Sequence, residues 1–201
     1  MKVLVVNCGS SSLKYQLMDM TDESVLAKGL VERIGIEGSV LVHQPEGQDK
    51  VKLEGSIPSH VEAIQMVLNA LIDPNHGVIG SLTEIAAAGH RVAHGAEKFS
   101  DSVLITEDVM RGIKECVELA PLHNPANIAG IEACAKLMPG LPQTAVFDTA
   151  FHSTIPKHAF LYGLPYEAYE KYHVRRYGFH GTSHKFVAQQ AAVMMGKHMS
   201  D

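Results

Sequence analysis

Lys2-Val-Leu-Val-Val6, Asn7-Cys-Gly-Ser-Ser-Ser12 and Leu13-Lys-Tyr-Gln-Leu-Met18 follow one another without a break, and their reading decides the fold. The first run is apolar and β-branched, the second is a short polar turn, and the third is a strand again. Two strands joined by so short a loop predict a β-hairpin at the very start of the chain. Gly9 lets the backbone turn freely and can aim N–H groups at an anion. The hydroxyls of Ser10 and Ser12 and the ammonium of Lys14 add donors and charge. A phosphate-binding hairpin loop and a plain Ser-rich turn both fit. The Walker A spacing of glycines and lysine is missing.

Outward from the hairpin, residues 25–57 read as further short strands punctuated by Gly29, Gly35, Gly38, Gly47 and Gly55. Residues 59–72 read as a helix, with Ser59 as cap, Glu62 completing a capping box, and Val61, Ile64, Val67, Leu68 and Leu71 on one face. Residues 84–90 read as a buried strand, although their alanines leave a helix open. A second helix is expected over 106–119, capped by Thr106. A third begins at Asn124-Pro125 and stops at Met138-Pro-Gly140. Residues 143–147 form an apolar strand ending at Asp148. A Tyr-rich stretch (162–177) then leads through Gly178-Phe-His-Gly-Thr182 into a last helix from about 183 to 195. Strands and helices in alternation predict an α/β fold.

The chain of 201 residues has 17 basic and 22 acidic side chains and a formal charge of −5, against the basic balance of a general nucleic-acid binder. Cys8, Cys116 and Cys134 form no CxxC pair, so neither a zinc site nor a disulfide framework is expected, only reduced thiols. The apolar run after Lys2 is too short for a secretory leader, and no stretch reaches the ~18 residues of a membrane helix. The expectation is a cytoplasmic protein with no membrane and no nucleic-acid partner.

Three further segments carry candidate chemistry. In His90-Arg-Val-Ala-His-Gly95, Arg91 offers a planar fork for a carboxylate or phosphate, or a surface ion pair. His90 and His94 have helical metal spacing, but flanking glycines and the missing Glu speak against a metal. In Phe147-Asp-Thr-Ala-Phe-His152, Asp148 ends a strand where α/β sheets place ligand-binding groups, and could equally cap a turn. In Tyr177-Gly-Phe-His-Gly-Thr-Ser-His184, Gly178 and Gly181 permit close backbone approach and a helix start favours an anion. His180 could donate there, or serve structure, with Thr182 or Ser183 as plain cap. Of the 12 histidines, His43, His60, His76, His158 and His173 are expected in solvent.

Together, 7–14, Gly89-His-Arg-Val-Ala-His-Gly95, Leu119-Ala-Pro-Leu-His-Asn-Pro125, Val146-Phe-Asp-Thr-Ala-Phe-His152 and 177–184 resemble, in order, the signature blocks of acetate kinases. The resemblance covers the whole chain. It implies the ribonuclease-H-like fold of the actin, heat-shock chaperone and sugar-kinase superfamily, a mixed sheet flanked by helices. It also implies an N-terminal domain over 1–150, a second, nucleotide-binding domain beginning at 151–201, a homodimer, and Mg²⁺-dependent phosphoryl transfer between ATP and acetate, giving acetyl phosphate and ADP. By the same resemblance, Asn7 lies by the metal and Gly9, Ser10, Ser12 and Lys14 form the phosphate loop. Arg91 holds the substrate carboxylate, Asp148 is the essential acid, and His180 stabilises the phosphoryl in transit. His123 supports the site, and Ala93, Leu122 and Phe179 line the methyl pocket. Ala93 stands where many relatives carry Val, which would favour propionate. The family's adenosine loops, a second arginine and a metal-binding glutamate would lie beyond residue 201, so the chain alone is expected to be inactive. The competing readings are a propionate or butyrate kinase, a non-catalytic nucleotide-binding module, and a structural dimerisation piece.

Overall fold

The expected hairpin forms. In the computed structural model, which describes residues 1–200, β1 (Lys2–Cys8) and β2 (Ser12–Asp19) pair antiparallel with Val6 opposite Tyr15 and Asn7 opposite Lys14. Strand alternation sends Leu4, Val6, Cys8, Leu13, Tyr15 and Leu17 into the core and leaves Val5, Asn7, Lys14 and Gln16 on the opposite face. The meander continues through β3 (Ser24–Glu32), β4 (Val40–Pro45) and β5 (Val51–Glu54).

The helix α1 (His60–Leu71) precedes β6 (Ile85–Val92), which pairs parallel with β1. Residues 84–90 are thus mainly strand, resolving the open alternative. Then come β7 (Val103–Leu104), α2 (Glu107–Glu115), α3 (Asn124–Leu137) and β8 (Gln143–Phe147), the last parallel to β6. Short helices α4 (Lys157–Phe160) and α5 (Glu167–Tyr172) lead to α6 (Gly181–Met194). One eight-stranded mixed sheet results, in the order β5-β4-β3-β2-β1-β6-β8-β7.

Helices α1 and α3 cover one face. Ala63, Ile64, Val67, Leu68 and Leu71 of α1 and Ala133 and Cys134 of α3 join the buried sheet residues there. Two buried methyl-poor positions let α3 come close: a Cβ on Gly130 would sit 2.3 Å from Cys8 Sγ, and Ala133 is itself small. All three cysteines are buried and unpaired, and burial pushes the Cys8 and Cys134 thiols up to about 12. On the opposite face, Val5, Leu30 and Val42 floor a shallow groove of about 550 Å³ rimmed by Asn7, Lys14, Lys28 and Lys50. No helix among the described residues is long and apolar enough to cross a membrane.

Several local expectations change. Ser59 does cap α1, accepting the Val61 N–H, but its hydroxyl donates to the Glu62 carboxylate, so the reciprocal box is not made there. A complete capping box instead joins Ser81 and Glu84. The helix read over 106–119 is α-helical only to Glu115, and 116–119 tighten into a 3₁₀ turn. His43 is fully buried rather than solvated. It faces the core from β4, where Tyr15 OH bonds its Nδ1 and its Nε2 meets the His76 carbonyl at 3.0 Å. His60 is drawn to the N-terminal loop, its Nε2 lying 2.8 Å from the Gly9 carbonyl. His76 is half-buried, its Nδ1 3.0 Å from Asp73.

Candidate active site

Strands β1, β6 and β8 are parallel neighbours, so their carboxyl ends lie side by side. This is where open α/β sheets present ligand-binding groups. Val5 pairs with Gly89 and Arg91 with Val146. With strict alternation, Asn7, Arg91 and Asp148 therefore share the face opposite to α1 and α3, and Lys14 joins them as the partner of Asn7.

Arg91 and Asp148 meet directly. The guanidinium donates from Nε at 3.1 Å and from Nη2 at 2.6 Å to the same oxygen, Asp148 Oδ2. The Asp148 side chain is 5% exposed and that of Arg91 is 30% exposed, so an enclosed carboxylate is matched by a charge that still reaches solvent. Among the described residues, Arg91 Nη1 and Asp148 Oδ1 carry no hydrogen bond. His180 stands over this pair, 75% exposed, with Nδ1 3.9 Å from Asp148 Oδ2. That is beyond hydrogen-bond reach and counts as an ion pair only when the ring is protonated.

His180 is held there by its backbone. It adopts a left-handed conformation (φ 54°) as the N-cap of α6 and makes no side-chain cap bond. The helix thus starts before Thr182 and Ser183, neither of which is the cap. The next residue, Gly181, donates its N–H to the Asp148 carbonyl at 2.8 Å, and a Cβ there would lie 2.4 Å from that oxygen. Only glycine allows the approach that sets the end of β8 against the start of α6. His152 Nε2, 3.0 Å from the Phe179 carbonyl, anchors the same turn.

The N-terminal loop departs from the simplest reading. The Gly9 N–H does not point at an anion but closes the hairpin onto the Ser12 carbonyl at 2.8 Å. Ser10 and Lys14 are exposed and Ser12 is half-buried; of the three, Lys14 lines the groove.

Ala93, Leu122 and Phe179 do not line one cavity. Ala93 is buried, whereas Leu122 is 78% and Phe179 46% exposed. The reason is local: α3 clasps the backbone of Ala93, while Leu122 sits in the tight turn before α3 with nothing over it. Phe179 instead lines a cavity of about 460 Å³ with His94, Leu119 and Tyr177. His123, the N-cap of α3, is exposed and makes no side-chain cap bond. His90 and His94 serve the fold. His90 points into the core, 2.7 Å from Gln143 Oε1, and His94 Nδ1 accepts the Ala96 N–H at 2.9 Å. Burial lowers both rings to about 4. No group of three or more metal-binding side chains (His, Cys, Asp or Glu) occurs among the described residues.

Two residues to which the sequence reading gave no role in the site, Asn124 and Asn127, hold it together. Asn127 Nδ2 donates to the Cys8 carbonyl at 2.8 Å while its Oδ1 accepts the Ala93 N–H at 3.0 Å, bridging the ends of β1 and β6. Asn124 Oδ1 accepts the His94 N–H at 3.1 Å and its Nδ2 donates to the His94 carbonyl at 3.0 Å. Their signal was present: two asparagines at i and i+3 in the first turn of a helix, on the face turned to the sheet.

The family model described as the acetokinase family matches residues 2–201. The chain belongs to the acetokinase family. This acetokinase chain is 65% identical over 197 residues to an acetate kinase of Desulfitobacterium hafniense, covering 98% of this chain and 49% of the relative. It is 63% identical over 201 residues to an acetate kinase of Treponema denticola, covering 100% of this chain and 51% of that one. Among solved structures, Porphyromonas gingivalis acetate kinase superposes with a TM-score of 0.94 at 50% identity, covering 98% of this chain and 50% of the other. A propionate kinase from Francisella tularensis superposes with a TM-score of 0.91 at 43% identity, covering 98% and 50%. The acetokinase chain thus spans about half the length of the curated relatives it matches. Its α/β architecture is that of these kinases.

Proposed function

We propose that the protein to which this chain contributes is an acetate kinase, transferring a phosphoryl group reversibly between ATP and acetate. The observation that carries the reading is the Arg91–Asp148 pair at the carboxyl ends of β6 and β8, on one face with Asn7 and Lys14. Its roles follow from charge and position. A carboxylate is already ionised and nucleophilic near neutral pH, so no strong base is required. Its oxygen attacks the γ-phosphorus, the bond to the bridging oxygen breaks, and the electron pair leaves with ADP; no proton moves. Catalysis then rests on alignment and on neutralising the phosphoryl oxygens.

Arg91, with Nη1 still unpaired among the described residues, holds the carboxylate. Asp148 fixes the Arg91 fork and, through Oδ1, has an acceptor left for a metal shell. Lys14 and the hairpin residues Ser10 and Ser12 meet the phosphates, and Gly9 keeps that loop closed. His180, exposed in side chain and fixed in backbone, donates to the phosphoryl oxygens. His123 supports the substrate side. Oxygen donors suit Mg²⁺, and Asn7 Oδ1 and Asp148 Oδ1 are of that kind; a shell of two protein oxygens, waters and phosphates is usual for this ion. When bound, Mg²⁺ screens the phosphate charge. Among the described residues all eight strands fall within 2–147, which supports reading 1–150 as the first domain and 151–201 as the start of a nucleotide-binding second. A homodimer in the cytoplasm completes the proposal.

A hydroxamate assay of acetyl phosphate on the whole protein, with ATP, Mg²⁺ and acetate, tests this. Product is expected from the whole protein and not from residues 1–201 alone. No product from the whole protein with any short-chain carboxylate would overturn the reading.

A further inference from the structure

Arg175 is an enclosed cation outside the Arg91–Asp148 site. Only 6% of its side chain is exposed. Its guanidinium lies 3.6 Å over the Phe160 ring and 5.1 Å from the centre of Tyr177, and Nη1 pairs with Glu97 Oε1. Glu97 gathers more from the same segment. Tyr169 OH donates to Oε1 at 3.0 Å, and His173 Nδ1 lies 3.6 Å from Oε2. The left-handed turn at His173 (φ 54°) reverses the chain after α5 and brings Arg175 back under α4, where the Arg176 N–H donates to the Phe160 carbonyl at 2.8 Å.

Both ends of this contact lead to the site. Glu97 lies in the loop that leaves β6, six residues after Arg91. Beyond Arg175, Tyr177 packs edge-on against His94 with ring centres 4.4 Å apart, and Phe179, at 5.6 Å from the same ring, and His180 follow. An exposed ion pair would add little, but this one is sandwiched between aromatic rings, where cation–π attraction and lower dielectric reinforce it.

We propose that Glu97 and Arg175 are a positioning pair, a strap that fixes the 178–180 turn, and with it Phe179 and His180, against Arg91 and Asp148. The kinetic consequence rests on the phosphoryl-transfer reading; the structural one does not.

The test uses the whole protein with Glu97→Gln, Arg175→Met, both together, and the milder Arg175→Lys in case a bolder change prevents folding. Hydrogen–deuterium exchange over residues 176–181 is expected to quicken in each variant, least in Arg175→Lys. With acetate as substrate, its KM is expected to rise about tenfold and kcat to fall, while the KM for ATP stays within about twofold, because small displacements near reacting groups are costly. The double variant is expected to be no worse than the poorer single one, since both remove one shared contact. Unchanged exchange, or additive losses, would overturn the strap. Quickened exchange with an unchanged acetate KM in an active enzyme would overturn its positioning role. A wild-type protein that phosphorylates no carboxylate would sink the kinase reading, and the exchange measurement would still decide the pair.

Discussion

Arg91 and Asp148, 57 residues apart, are joined by two hydrogen bonds from one guanidinium to one carboxylate oxygen, with Asp148 almost wholly enclosed. Asp148 therefore depends on Arg91 more than Arg91 depends on it. Replacing Arg91 with Ala leaves an enclosed negative charge without its partner.

Arg91→Ala is expected to lower unfolding free energy by about 3 kcal/mol, and Arg91→Ala with Asp148→Ala to recover part of the loss. Asp148→Asn keeps shape while discharging the site, so its stability should change less and its kcat fall by about 10²–10³. Denaturant titration and the hydroxamate assay on the whole protein measure the two effects separately.

Asn127→Ala removes both hydrogen bonds that tie the end of β1 to that of β6, leaving the Cys8 carbonyl and the Ala93 N–H buried without partners. The expected cost is about 2–4 kcal/mol. Because the hairpin loop and Arg91 hang from those strand ends, kcat/KM is expected to fall as well. A stability loss below 0.5 kcal/mol, roughly the scale of a change away from any such feature, would show that the bridge is dispensable.

Stability is expected to weaken on mild acidification through His90. Its folded value is lowered to about 4, below the ordinary 6.5, because burial disfavours the charged ring. The unfolded chain thus binds the proton first. The contribution is whole above pH 6.5 and is lost as pH falls from 6.5 to 4, amounting to roughly 3 kcal/mol. His90→Gln should flatten that part of the stability–pH curve, measured by urea midpoints at each pH; an unaltered slope would assign the effect elsewhere.

Ala93→Val in the whole protein tests the carboxylate preference. Ala93 is buried just past the end of β6, and on the proposed acetate kinase reading two added methyls there would narrow the space for a longer acyl chain. The propionate-to-acetate ratio of kcat/KM is expected to fall about tenfold. An unchanged ratio would remove Ala93 from the determinants of specificity.

The N-terminal hairpin, the starts of α1, α2 and α3 and the strand 143–147 were legible because each announces itself locally: alternation, a capping Ser or Thr, a proline in the first turn; α6 was not, because its cap is a left-handed His180 with no capping side-chain bond. What escaped depends on distant partners. His43 reads as a polar residue in an exposed strand until Tyr15, 28 residues earlier, is set opposite its ring. Asn124 and Asn127 look like helix-start residues, and their amides matter only because two other strands end beside them. The pairing of Arg91 with Asp148 was not legible at all, since parallel register through β6 and β8 creates it. The methyl pocket was carried over from resemblance, and Leu122 in this chain faces outward.

The buried thiols have a use of their own. A sulfhydryl held near 12 and shut off from solvent reacts with disulfide reagents only when the chain opens around it. Cys8 sits immediately before the hairpin loop and Cys134 on the helix behind it. The labelling rate of Cys8, whose sulfur is covered by Gly130 of α3, is therefore expected to time how often the packing of α3 on the end of β1 opens, and a ligand that steadies that packing is expected to slow it.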